Sequence, residues 1–185
     1  MSQLKVDSIV PRAGVATGHG GGVIQVISAY KGDKFTTSNT SHTDITGMTL
    51  DITPINDTSK ILVMASFGAA CTRQNNLDHG HVIRVLRNGS DDNQLNGQQP
   101  SGTNRIRICW KGAGLSFNSD HIAGGFAFVG VDNPATTSTL TYKLQVHCQS
   151  SLYPFYLNAN ASSGTDGSIY RGISMSSLIA MEITA

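Results

Sequence analysis

Short segments in which apolar and polar residues alternate recur along most of the chain, with turn residues between them. Such alternation predicts β-strands, because successive side chains of a strand point to opposite faces of the sheet. Eight strands are predicted, over residues 23–31, 44–53, 60–70, 81–86, 104–111, 121–131, 139–148 and 177–184. No stretch combines the helical period with helix caps. The pattern therefore predicts an all-β fold, either a sandwich or a barrel.

Two of these segments carry a further prediction. Residues 60–70 are apolar on both faces, which indicates a strand that is buried on both sides. Residues 81–86 lead into Asn88-Gly89, and Asn-Gly is a strong signal for a two-residue hairpin turn. Three polar stretches are long for connections, namely residues 73–78, 90–103 and 159–171. Because loops of this length are usually functional, we expect contacts with a partner there.

The first 22 residues have a different character. Residues 4–11 alternate like a strand, and a glycine-rich segment follows them at residues 17–22. One short strand cannot bury its apolar side chains alone, so it must pack on another molecule. We therefore expect residues 1–22 to be a docking arm with a flexible hinge and residues 23–185 to be the folded domain. The predicted docking residues are Leu4, Val6, Ile9, Val10 and Pro11.

Composition narrows the classes of partner. Only 14% of the residues are charged, the net charge is +1, and there is no run of Lys or Arg, so binding to nucleic acid is not expected. No stretch approaches the length of about 18 apolar residues that membrane insertion requires. The chain shows no signal peptide, which favours synthesis in a reducing cytosol. We therefore expect Cys71, Cys109 and Cys148 to be buried thiols rather than disulfides.

Candidate chemistry is sparse, and we expect no enzyme activity. The chain has no Gly-X-Ser-X-Gly elbow, and Asp91-Asp92 lies in a polar loop where adjacent carboxylates are usually just solvated. His79 and His81 would point to the same face of a strand. Three such pairs around a threefold axis could hold one transition-metal ion, whereas the simpler interpretation is that the pair ends a loop and begins a strand. No other cofactor is predicted.

Aromatic and amide side chains in the polar regions are the candidates for contact with a receptor. Aromatic rings stack on the faces of sugars, and Asn and Gln offer paired hydrogen bonds. Residues 153–156 follow a polar turn and are expected to be partly exposed, whereas Trp110 is assigned to the core or to an interface between subunits. The candidate receptor-contact residues are Asn75, Asn76, Asn93, Gln98, Tyr153, Phe155, Tyr156 and Tyr170.

Several of these motifs together resemble the tail-fibre-like proteins of marine bacteriophages, including cyanophages. Residues 2–11 and the following Gly-Gly-Gly-Val-Ile-Gln-Val resemble the start of such proteins. The body resembles their C-terminal β domain over residues 35–48, 52–54, 59–63, 85–90, 132–146 and 178–183. The resemblance implies a jelly-roll head similar to tumour necrosis factor and the complement globular heads, which assemble as homotrimers. It also implies a place in the virion, although this chain has no shaft repeats between arm and head.

The expected function is that of a virion attachment protein made in the cytoplasm of the host bacterium. The arm would bind another virion protein of the tail, baseplate or capsid, and the trimeric head would bind a glycan or protein on the host surface. A tail-fibre tip, a tail-tube appendage and a capsid decoration all fit. The leading alternative is a cement protein of the capsid or tail with no receptor-binding role. A secreted lectin-like or cytokine-like trimer is disfavoured by the missing signal peptide.

Overall fold

The chain folds into β-strands throughout the part that the structure describes. The structure is a computed structural model, and it describes residues 22–72, 80–91, 94–97, 107–112, 124–152, 154–159 and 173–184. The strands are β1 (Val23–Lys31), β2 (Phe35–Thr37), β3 (Thr43–Ile52), β4 (Lys60–Thr72), β5 (His81–Arg87), β6 (Trp110–Gly112), β7 (Gly124–Asp132), β8 (Leu140–Cys148), β9 (Phe155–Leu157) and β10 (Ser176–Ile183). The all-β prediction is confirmed.

The strands form two antiparallel sheets that pack face to face as a β-sandwich. In sheet A, β1 pairs with β10, β10 pairs with β4, and β4 pairs with β7. The short strand β9 pairs with the C-terminal part of β4 and with β2. Sheet B has the order β3, β8, β5, β6. Strands that follow one another in the sequence therefore often lie in opposite sheets.

The core lies between the sheets and is built from every second residue. In β8 and β10, buried and half-buried residues alternate without interruption. The inward side chains of β8 belong to the same buried cluster as those of β4, which include Ile61, Val63 and Phe67. Removal of this apolar area from water is the main force that holds the two sheets together.

Most predicted strands match the observed ones closely. β1 has the predicted bounds, and the bounds of β3, β4, β5, β8 and β10 differ from the prediction by one or two residues. The predicted strands 104–111 and 121–131 are described in part, as β6 and β7. The pattern does not predict β2 and β9, because three residues hold too little alternation to stand out from a loop.

The predicted turn at Asn88-Gly89 is confirmed. The φ angles of Asn88 and Gly89 are 51° and 82°, which is the left-handed region that a type I′ turn requires at both positions. Arg87 and Ser90 flank the turn and exchange backbone hydrogen bonds of 2.9 and 3.0 Å. The Asn88 side chain also accepts a hydrogen bond of 2.8 Å from the backbone N–H of Thr141, which fixes the turn against β8.

The prediction that residues 60–70 form a strand buried on both sides is wrong. Ile61 and Val63 face the core and are fully buried, but Leu62 and Met64 face outward and are only half-buried. The two-sided apolar pattern is real, yet only one side of β4 lies against the opposite sheet. The outward side of sheet A is therefore apolar and partly accessible to solvent.

The two described thiols are free, as the sequence predicts, but only one of them is fully buried. Cys148 is fully buried, whereas Cys109 is half-buried. Burial raises the pKa of Cys109 to about 12 and also raises the pKa of Cys148. Both thiols therefore stay protonated and act as packing groups. The side chain of Cys71 lies outside the described part of the chain.

A buried ion pair joins the two sheets at one end of the sandwich. The carboxylate of Asp132, at the end of β7, is fully buried. It accepts hydrogen bonds of 2.6 and 2.7 Å from Nη1 of Arg87 and one of 2.7 Å from the hydroxyl of Tyr142. Because Arg87 and Tyr142 belong to sheet B, these bonds connect the sheets directly.

A second buried carboxylate, that of Glu182 in β10, connects this strand to the loop after β3. Glu182 accepts hydrogen bonds from the backbone N–H of Ile55 at 2.8 Å and of Asn56 at 3.2 Å, and from Nε2 of Gln25 at 2.5 Å. Burial alone would raise the pKa of Glu182, but these bonds outweigh it and lower the pKa. The carboxylate therefore remains charged inside the fold.

Candidate interaction surface

The predicted docking arm joins the domain beside the C-terminal end of β10. The docking residues themselves, which are Leu4, Val6, Ile9, Val10 and Pro11, lie outside the described residues. Gly22 is the first described residue, and its carbonyl oxygen accepts a hydrogen bond of 3.2 Å from the backbone N–H of Thr184. Residues 1–21 therefore connect to sheet A at its edge strand, β1.

The candidate receptor-contact residues divide into two groups. Those outside the described part of the chain are Asn75, Asn76, Asn93, Gln98, Tyr153 and Tyr170. The other two lie in β9, where alternation sends neighbouring side chains to opposite faces. Phe155 is 0% exposed and packs edge-to-face on Phe35 at a centroid distance of 6.5 Å, so its predicted exposure is wrong. Tyr156 is half-buried, and Nζ of Lys34 lies 5.0 Å from its ring centroid.

Of the predicted metal pair, the structure describes one member, His81. His79 lies outside the described residues. His81 is 1% exposed and faces the core, where its ring centroid lies 5.7 Å from that of Phe155. A symmetry axis outside the subunit cannot reach this imidazole, so the prediction is wrong for His81. In the described segments, no group of three or more His, Cys, Asp or Glu side chains is placed to hold a metal ion.

One predicted contact loop is partly bound to the edge of sheet B. Within residues 90–103, Leu95 and Asn96 are buried. The Asn96 side chain accepts a hydrogen bond of 2.9 Å from the N–H of Val85 and donates one of 2.6 Å to its carbonyl oxygen. The amide thereby pairs with β5 just beyond Ile83, the partner of Trp110 at the start of β6. This part of the loop is a structural support rather than a free contact surface.

The outward side of sheet A carries a group of exposed and half-buried apolar side chains. We call it the apolar face, and it consists of Val26, Leu62, Met64, Val129, Val131, Ile179 and Met181. The strand register places these residues in two adjacent rows, one from Val26 through Met181 and Leu62 to Val131, the other from Ile179 through Met64 to Val129. None of them is charged.

The edges of the apolar face are its most exposed parts. Val26 is 53% exposed, Val129 is 60% exposed and Val131 is 44% exposed, whereas the residues of the central strands are half-buried by their neighbours. Contiguous exposed apolar patches usually mark a site of interaction. The two-sided apolar pattern of residues 60–70 was the trace of this surface in the sequence. The pattern alone predicts burial of both sides within the chain, whereas one side is part of the apolar face.

The outward side of sheet B has the opposite chemistry. Its polar face consists of Asp44, Arg84, Asp91, Lys143 and Gln145, which form a continuous network. Lys143 donates to Asp44 at 2.7 Å, and Gln145 donates to Asp44 at 2.5 Å. Arg84 donates to Gln145 at 2.8 and 3.0 Å and to Asp91 at 2.9 Å. Hydrogen bonds from Lys143 and then Gln145 lower the pKa of Asp44.

Two histidines meet beside this polar face. His42 directly precedes β3, and His147 follows Val146, the partner of Thr43 in the β3–β8 ladder. Their rings lie edge to face with a centroid distance of 5.0 Å and an interplanar angle of 79°. Nothing in the sequence links the two residues, which are far apart along the chain. Only the register of the two strands brings them together.

Comparisons with known proteins give no relative from which a function could be transferred. No protein-family model and no curated protein matches the sequence. In the described part of the chain, no helix is long and apolar enough to span a membrane. The function has to be inferred from the residues of this chain.

Proposed function

We propose that the protein is an appendage of a bacteriophage virion whose β head self-assembles as a homotrimer and binds the host surface, while its N-terminal arm docks on the particle. The single observation that supports self-assembly of the head is the apolar face. Docking on a virion is supported by the alternating pattern of residues 4–11 and by the resemblance to phage tail-fibre-like proteins. No catalytic activity is part of this proposal.

A second copy of the chain is the partner that best fits the apolar face. The face lacks charge, so a partner must be apolar as well, and another copy offers the same surface. Burial of apolar area contributes about 25 cal/mol per Å². Identical copies assemble with closed symmetry, which limits growth of the assembly. The proposal of three subunits rests on the resemblance to phage tail-fibre-like proteins, which implies a homotrimer.

The strand order supports a jelly-roll head. In a jelly roll, eight strands form two four-stranded sheets, and successive strands cross between them. Here β1, β10, β4 and β7 lie side by side in one sheet, and β3, β8, β5 and β6 lie side by side in the other. The connections from β3 to β4, β4 to β5, β6 to β7 and β7 to β8 all cross the sandwich.

Attachment would work through multivalency. Weak contacts by each head are multiplied by the trimer and by the number of copies on the particle. Among the described receptor-contact candidates, Tyr156 is half-buried and Phe155 is buried. The other receptor-contact candidates are Asn75, Asn76, Asn93, Gln98, Tyr153 and Tyr170, whereas the docking residues of the arm bind the particle. The protein would be made in the bacterial cytoplasm and would reach the cell surface only on the virion.

Adsorption competition tests the receptor role. The purified full chain in large excess is expected to slow adsorption of the phage to its host, and Tyr156→Ala is expected to weaken this competition. A chain that is incorporated into particles but never competes would instead favour the cement protein, in which the apolar face is covered by a capsid or tail protein.

Light scattering on the same preparation tests assembly. The mass of the isolated full chain is expected to be that of three subunits. A strictly monomeric chain at all accessible concentrations would contradict self-assembly and would leave the apolar face to a different virion protein. Deletion of residues 1–21, which leaves Gly22 and its bond to Thr184, is expected to preserve the trimer and abolish incorporation into particles.

A further inference from the structure

The histidine pair beside the polar face leaves two ring nitrogens without a partner. Nε2 of His42 and Nδ1 of His147 are both buried, and neither has a hydrogen-bond partner. A buried polar atom that makes no hydrogen bond costs about 1–3 kcal/mol. Because the two atoms lie on neighbouring rings, a single bound ion is a candidate partner for both nitrogens.

The spacing of the two rings fits a single metal ion between them. With metal–nitrogen distances of about 2.0–2.1 Å and a tetrahedral angle, two imidazoles on one ion place their ring centres about 5 Å apart. The observed centroid distance is 5.0 Å. Either ring nitrogen of histidine can serve as a ligand, so the combination of Nε2 and Nδ1 is chemically ordinary.

The charged groups around the pair are compensated by one another. The charge of Arg84, which acts on His42, is balanced by Asp91 at 2.9 Å. The other charged neighbours, Asp44 and Lys143, pair with each other at 2.7 Å.

We propose that His42 and His147 form a binding site for a divalent transition-metal ion of the Zn²⁺, Ni²⁺ or Cu²⁺ class, with water in the remaining coordination positions. Imidazole nitrogen is a preferred ligand of these ions. The site links the start of β3 to the end of β8 on the outside of sheet B. It does not include His81, which faces the core, or any residue of the apolar face, so it does not depend on the proposed function.

Nuclear magnetic resonance of the histidine side chains tests the proposal on the unaltered protein. The full chain is stripped of metal with a chelator and titrated with ZnCl₂ near neutral pH. The ring nitrogens expected to shift first are Nε2 of His42 and Nδ1 of His147. Saturation without any change at these two nitrogens would overturn the proposal, and so would an absence of Zn²⁺ binding.

Matched variants separate this site from other histidines. His42→Gln and His147→Gln are each expected to weaken Zn²⁺ binding about tenfold or more, because each removes one of two protein ligands. His121→Gln and His79→Gln serve as controls and are expected to bind like the parent chain. Loss of binding in His79→Gln with retention in His42→Gln would contradict the assignment. Circular dichroism confirms that each variant is folded before it is titrated.

Discussion

The two outward faces of the sandwich differ far more than the two inward faces. Both sheets send every second side chain into one shared core. On the outside, sheet B carries a hydrogen-bonded network of charged and amide groups, whereas sheet A carries rows of Val, Leu, Ile and Met. The inward pattern explains why the chain folds. The outward pattern is the reason why the proposed function covers sheet A with a second copy and leaves sheet B in water.

Strands β8 and β10 show the difference within single elements. The outward residues of β8 include Thr141, Lys143 and Gln145, which is the polar half expected of an antiparallel sheet in contact with solvent. The outward residues of β10 include Ile179 and Met181. Both strands alternate between buried and half-buried residues. Only in β8 does this alternation coincide with a change from apolar to polar side chains. The chemistry of the outward residues therefore distinguishes the two sheets, and it is the basis on which the proposed function assigns sheet A to self-assembly.

The largest effect is expected from the buried ion pair between Asp132 and Arg87, which contrasts with the exposed ion pairs of the polar face. Asp132→Ala is expected to lower the free energy of unfolding by about 3–5 kcal/mol, because it removes one partner of a buried ion pair. Tyr142→Phe leaves the pair intact and removes one hydrogen bond, so about 1 kcal/mol is expected. Urea unfolding measures both. A loss under about 1 kcal/mol for Asp132→Ala would show that the buried pair is no more important than the exposed ones.

Adjacent residues of β4 test the two sides of sheet A. Ile61→Ala creates a cavity in the core and is expected to cost about 2–5 kcal/mol. Leu62→Ala truncates a half-buried side chain and should cost less than half as much in the dissociated chain, with its main effect on self-association. Unfolding at low protein concentration provides the measurement. Equal losses from the two variants would mean that the outward side of β4 is as well packed as the core.

A charge on each face tests which of them is an interface. Val129→Asp on the apolar face is expected to weaken self-association about tenfold or more, which is about 1.4 kcal/mol. Thr49→Asp places the same charge on the outside of sheet B, opposite Lys143, and is expected to leave association unchanged. Sedimentation velocity distinguishes the two. Dissociation by Thr49→Asp alone would reverse the assignment of the faces.

The smallest effect is expected on the polar face. The pKa of Asp44 lies below its ordinary value of 3.8, so its ion pair with Lys143 stabilises the folded chain above that pH and is lost as the pH falls through the lowered pKa. Asp44→Asn is expected to cost at most about 1 kcal/mol near neutral pH, and less in high salt. Urea unfolding across an acid pH series checks this. A larger loss that salt does not reduce would contradict a solvent-exposed network.

By itself, the sequence determined what depends on neighbours along the chain. Alternation located most strands, Asn88-Gly89 located a tight turn, and the buried position of Cys148 followed from its apolar surroundings. These features are local, because strand period and turn geometry are set within a few residues.

Only the tertiary structure decided which side of a strand meets a partner. Alternation shows that Phe155 and Tyr156, or Ile61 and Leu62, point in opposite directions, but the opposite sheet determines which direction is the core. His81 is inward for the same reason. The contact between His42 and His147 depends on the register of β3 against β8, which is set by core packing across the whole sandwich. Long-range pairing of this kind leaves no trace in a local pattern, because the two residues lie in separate strands.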